Sequence, residues 1–143
     1  MMIQTEIKIR GYHLDMFGHV NNARYLEFLE EGRWAFFDGN PDFFNHLKGV
    51  IFFVVNININ YRRPASFGDV IDIQTRLSKI GTTSGVMRQE IHNKQTAELI
   101  ADADITFVMV DAETKKPLNL KDKLKDVVTD LLPQDLTPPQ KSP

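Results

Sequence analysis

The sequence predicts one α+β domain in which a mainly antiparallel sheet wraps a single helix. Three observations carry this. Several segments alternate apolar and polar residues with the period of a half-buried strand, and one stretch near the amino end has helical spacing instead. The order is also segregated, one strand, the helix, then four strands, where a dinucleotide-binding sheet would alternate strand and helix.

The first strand is "TEIKIRG", with Ile7 and Ile9 on one face. From Tyr25 the apolar residues Tyr25, Phe28, Leu29 and Phe36 recur at helical spacing, while Glu27, Glu30, Glu31 and Arg33 fall largely elsewhere on the wheel. This predicts a helix of about four turns, capped by Asn21 or Asn22 and stopped at "DGNPD". A loop through Phe43, Phe44 and His46 follows. "VIFFVVNININYRRP" is the clearest strand, with Asn56, Asn58 and Asn60 alternating against Ile57, Ile59 and Tyr61 until Pro64 ends it. "DVIDIQTRLSKIG", "SGVMRQEIHNK" and "ELIADADITFVMVD" complete the set, separated by the turn signals "GTTSG" and "NKQT". Hairpins are the expected connections between these four strands. Residues 1–116 thus form a single domain, "LKDKLKDVVTDLL" predicts a short helix within 117–132, and the proline-rich 133–143 reads as a flexible tail.

Composition limits the chemistry. At 143 residues, with 42% hydrophobic and 25% charged residues, the chain can bury a core as one domain. A net charge of -2 provides no global basic field, so neither nucleic acid nor an anionic membrane is an expected partner. With no cysteine there is no disulfide, thiolate nucleophile or Cys-ligated metal. Glu6, Lys8 and Arg10 stand where a signal peptide needs its apolar run, and no window reaches the roughly 18 apolar residues of a membrane span, which predicts a cytoplasmic protein. His13, His19, His46 and His92 are scattered without ligand spacing, so no metal site is expected.

The informative stretch is "LDMFGHVNNARYLEFLEEGR", residues 14–33, which sets Asp15, Gly18, His19, Asn21 and Asn22 just ahead of the helix. Asp, Gly and Asn are ordinary turn and cap residues. They are equally what a carboxylate-dependent reaction needs, a base or nucleophile beside the unpaired amides and positive dipole end of a helix amino terminus. The residues alone leave both readings open.

D-x-x-G-H-V-N-N-x-x-Y, from Asp15 to Tyr25, resembles the acyl-CoA thioesterases of the 4-hydroxybenzoyl-CoA thioesterase family, which have the hotdog fold. "YRRPASFGD", Tyr61 to Asp69, resembles the same family's R-P-x-x-F-G-D strand and turn, and the likeness extends over most of residues 4 to 111. The resemblance implies a sheet enclosing the helix, subunits paired as a homodimer or homotetramer with sites at the interface, and hydrolysis of acyl-CoA to free acid and CoA. An acyl carrier protein could deliver the substrate instead, and a non-catalytic acyl-CoA binder is the alternative from another class. By resemblance Asp15 is the nucleophile or general base, and the backbone amide of Asn22 is the oxyanion donor. Gly18 leaves room for the thioester, His19 supports, and Tyr25 borders the acyl group. Glu30 and Glu31 are the rival carboxylates, since some related enzymes carry theirs on a helix. No cofactor is implied, coenzyme A being part of the substrate. Its phosphates need local cations, for which Arg62, Arg63, Lys79 and Arg88 are candidates, with hydroxyls from Thr82, Thr83 and Ser84.

Overall fold

The computed structural model describes residues 1–45 and 47–131, with side chains to Lys125; His46 and the segment containing the predicted tail 133–143 lie outside the described residues. The elements are β1 (Met2–Lys8), a 3-10 turn (Gly11–His13), α1 (Asn22–Gly39), α2 (Pro41–Asn45), β2 (Val50–Tyr61), β3 (Val70–Ile80), β4 (Gly85–Asn93), β5 (Leu99–Asp111) and α3 (Leu120–Leu131). The strands form one sheet in the order β1-β3-β4-β5-β2, and every neighbouring pair is antiparallel. This is the α+β hotdog fold, with α1 laid in the sheet's concave face.

The period-2 segments become strands because each has an apolar face to bury. Ile71, Ile73 and Leu77 of β3, Met87 and Ile91 of β4, and Ala103, Ile105, Phe107 and Met109 of β5 are fully buried beneath α1. The helix contributes Tyr25, Phe28, Leu29 and Phe36, and its Gly32 allows the closest approach. A Cβ there would come within 2.7 Å of Ile73 and 2.8 Å of both Thr75 and Gln89.

α1 runs 18 residues, about five turns where four were expected, from an Asn21 cap whose Oδ1 accepts the Ala23 N–H at 3.0 Å. At its far end the Asn40 side chain donates to the Phe36 carbonyl at 2.8 Å. Pro41 then opens α2 within the stretch expected as a loop.

Hairpins join β3 to β4 and β4 to β5, but not β2 to β3. β2 lies at one margin against β5, separated from β3 by β4 and β5. The reason lies in residues 62–69. Arg62 and Arg63 still donate to the Ile100 carbonyl of β5, then Pro64, which has no N–H, takes the chain off the ladder. The crossover is stitched instead to the loop before α1. The Val20 N–H donates to the Ala65 carbonyl at 3.0 Å, and the Gly68 N–H to that of Ile9 at 3.1 Å.

Candidate active site

Two Asp-Gly turns meet at the amino end of α1. In the first, the Asp15 N–H donates to the His19 carbonyl at 2.9 Å, and Asp15 Oδ1 accepts the Phe17 N–H at 2.8 Å. Gly18 closes it at φ +79°, where an L side chain is strained. In the second, Asp69 Oδ2 accepts the Ser66 N–H at 2.9 Å, and Gly68 takes φ +84°. His19 is exposed and bridges to Ser66, which couples the turns. The tips expose Phe17 and Phe67, 79% and 69% accessible.

The Asp15 turn therefore leaves one carboxylate oxygen, Oδ2, without a hydrogen-bond partner among the described residues. Nearby, the first amides of α1 are nearly all engaged. Asn21 takes the N–H of Ala23 through its side chain and that of Arg24 through its carbonyl at 2.9 Å. The Asn22 N–H, first in the helix, has no partner among the described residues. An open carboxylate oxygen and an open helix-terminal donor thus belong to one loop.

Tyr25 is buried in the core rather than open to a ligand. Its hydroxyl accepts the Ala65 N–H at 3.0 Å, and its ring meets Phe28 and Tyr61 edge-on. Burial pushes its phenol above the ordinary value, the Ala65 hydrogen bond opposes this, and Tyr61, Asp69 and Asp15 add to it. Two neighbours had no assigned role. The Tyr61 hydroxyl donates to the Asn22 carbonyl at 3.1 Å, fixing the helix start against the end of β2. His13 is buried, accepts the Arg10 N–H at Nδ1 over 2.8 Å, and offers its own carbonyl to the Asn21 N–H. Its pKa is lowered by burial, then by Arg24, with Glu27 opposing and Arg10 assisting.

The predicted cations divide into two groups. Arg62 and Arg88 converge on Asp102, at 2.8 and 3.4 Å, and Arg88 also reaches Asp104 at 3.4 Å. The Arg62 hydrogen bond holds the buried Asp102 carboxyl below the usual range, against burial and with help from Asn60 and Arg88. Arg63 is freer, exposed and 3.7 Å from Glu98. Arg88 sits mid-strand in β4 opposite Asp104, while Arg62 and Arg63 follow the end of β2 at the Asp15 end of the sheet. Lys79, Thr82, Thr83 and Ser84 do not lie there, because the β3–β4 hairpin carries them to the opposite end, where the Thr82 carbonyl accepts the Leu120 N–H. One chain alone does not bring them to Asp15. Glu31 is exposed on α1, and Glu30 lines an open groove between α1 and β2. No cluster of three or more metal-ligating side chains is present among the described residues, and none of their helices is long and apolar enough to cross a membrane.

Comparison with known proteins gives the family and the reaction class. Residues 9–128 match the model of the thioesterase-like superfamily. The chain is 49% identical over 128 residues to the long-chain acyl-CoA thioesterase FadM of Escherichia coli (strain K12), covering 87% of this chain and 95% of that protein. The crystal structure of YbaW, a probable thioesterase from Escherichia coli, superposes with a TM-score of 0.80 at 46% identity, over 88% of this chain and 98% of that one. Slr0204, a 1,4-dihydroxy-2-naphthoyl-CoA thioesterase from Synechocystis, superposes with a TM-score of 0.77 over 91% and 97% of the two chains, a likeness of fold alone at 17% identity. A two-turn site on a sheet-wrapped helix, a family match across most of the chain and close relatives of the same reaction class converge: this chain is a thioester hydrolase and belongs to the thioesterase-like superfamily.

Proposed function

We propose that the protein hydrolyses acyl-CoA thioesters, with Asp15 as the reacting carboxylate and the Asn22 amide as the oxyanion donor. The single observation that carries this is the open Asn22 N–H in the loop that presents the open oxygen of Asp15. With the carbonyl oxygen on that amide, Asp15 has two routes. As general base it takes a proton from water, whose oxygen adds to the carbonyl carbon; as nucleophile its Oδ2 adds directly and water later cleaves the mixed anhydride. In either route the tetrahedral oxyanion collapses with rupture of the C–S bond, and the CoA thiolate takes up a proton. In a single turnover in oxygen-18 water, label entering Asp15 identifies the nucleophile route, with water adding to the Asp15 carbonyl of the anhydride.

FadM's description as a long-chain acyl-CoA thioesterase supports CoA as the carrier and a long acyl group. Arg63, less engaged than Arg62 and Arg88, is the first choice for a CoA phosphate. An acyl carrier protein is the alternative carrier, distinguished by turnover of matched acyl-CoA and acyl carrier protein thioesters. The assembly is a homodimer or a pair of dimers.

Asp15→Asn tests the reading. Asparagine keeps the Oδ1 acceptor for Phe17 and removes the anion, so kcat falls by at least about 10² while acyl-CoA still binds. Melting temperature and oligomeric state must match wild type for the loss to be chemical. Turnover near the wild-type rate would move the test to Glu30 and then Glu31.

A further inference from the structure

The seam between α1 and the inner face of β2 leads from the candidate active site to an open groove. At one end Tyr61 of β2 touches the carbonyl of Asn22. At the other, Phe37 of α1 meets Phe52 of β2 with ring centroids 5.6 Å apart. Helix and strand therefore run side by side in opposite directions, with the half-buried Ile57 and Ile59 between the two contacts on the inner face. The groove lies at the Phe37–Phe52 end of the seam, has a volume of about 360 Å³ and is lined by Trp34, Phe37, Phe44, Leu47, Phe52 and Val54. That volume is in the range of small-molecule sites.

Arg33 is the exception in this apolar lining. It is half-buried, and its one hydrogen bond among the described residues goes to neutral Gln89 Oε1 at 3.1 Å. Gln89 is fully buried and fixed by Thr75 and the Leu29 carbonyl, both at 2.8 Å, so the guanidinium is held in place. No carboxylate lies within ion-pair distance of it among the described residues. Burial works against its charge, and Glu30, one turn earlier and also lining the groove, works the other way. A guanidinium has five N–H donors, and a saturated chain lying on them satisfies none.

On the acyl-CoA reading above, we propose that this groove is the acyl track and that Arg33 is its specificity-determining residue, selecting chains with a neutral oxygen, a hydroxyl or ketone, far from the thioester. A hydroxyl suits the Glu30–Arg33 pair, donating to one and accepting from the other, whereas a carboxylate is opposed by Glu30. At about 1.5 Å per residue, Glu30 and Arg33 lie about 12 and 16 Å along the helix from Asn22. An extended alkyl chain gains about 1.2 Å per bond, a third of the three-bond peptide repeat, so the oxygen belongs about 10 to 13 bonds beyond the thioester carbon, on about carbon 11 to 14.

The test measures CoA release from tetradecanoyl-CoA and from its 4-, 8- and 12-hydroxy derivatives. In the wild-type protein kcat/KM for the 12-hydroxy chain exceeds that for the plain chain by about tenfold, the value of one hydrogen bond to a charged donor, and the 4-hydroxy chain shows no such gain. Arg33→Met removes the 12-hydroxy preference by changing the ratio of the two rates. A wild-type ratio independent of hydroxyl position overturns the inference without using any variant. An unchanged ratio in folded Arg33→Met does the same. If wild type releases CoA from none of these chains nor from butyryl-CoA, the acyl-CoA reading fails and takes this inference with it; release from butyryl-CoA alone overturns the track only.

Discussion

The turn and cap that carry Asp15 and Asn22 are legible from sequence because both belong to one contiguous motif, where turn chemistry and helix capping are local. The residues that hold that motif in place are not. His13 looks like any isolated histidine, and its function depends on an acceptor bond to Arg10 and on Asn21 returning to its carbonyl. Because its pKa is lowered in the folded chain, the fold favours neutral imidazole. Its contribution to stability is present above the ordinary histidine value and is lost as pH falls through the lowered one. The facing charges agree in sign, since Arg24 and Arg10 oppose an imidazolium and only Glu27 favours it. Asparagine can reproduce the Nδ1 acceptor without titrating. The melting temperature of wild type should thus fall more steeply from about pH 7 to about pH 5 than that of His13→Asn. Parallel curves in differential scanning calorimetry would place the acid sensitivity elsewhere.

At the scale of elements, β3, β4 and β5 are legible because their alternation is imposed by burial of one face, and α1 because its stripe is imposed in the same way. α2 is not, since five residues give too short a window for a period. The placement of β2 beside β5 is equally hidden, because alternation shows which face of a strand is buried and not which strand it pairs with. That missing information is why Lys79 and the Thr82–Ser84 turn look compatible with Asp15 in sequence and lie at the far end of the sheet in the chain. Gly32 shows the same limit. Within a helix, glycine costs about 1 kcal/mol relative to alanine and looks like a flaw. Its reason is on other elements, the buried Ile73, Thr75 and Gln89. Gly32→Ala gains that propensity but forces a methyl against a hydrogen-bonded wall, where overpacking costs about 1–3 kcal/mol. Denaturant unfolding should show net destabilisation, and a stabilised variant would mean that α1 lifts from the sheet freely.

For the whole molecule, the sheet has two free margins of opposite character. β1 presents charged Glu6 and Lys8 among its exposed residues, with Lys94 paired to Glu6, which discourages strand addition. β2 presents no charge along Val50–Tyr61 and exposes Phe53 and Val55, 48% and 56% accessible. An uncharged margin of twelve residues invites pairing with an identical strand, and the exposed Phe17 and Phe67 tips leave the Asp15 loop similarly uncovered. A second copy on β2 would continue the sheet and roof the groove beside α1, so assembly and turnover should be linked. The double substitution Phe53→Lys, Val55→Lys places two charges on that margin without touching Asp15, Asn22 or the buried face of β2. Analytical ultracentrifugation should find wild type dimeric or tetrameric and the variant monomeric, with hydrolysis falling as the dimer is lost. A wild-type monomer that keeps full turnover at every concentration would show that one chain completes the site, and Lys79 and the hydroxyls at the far end of the sheet would then have no route to the substrate.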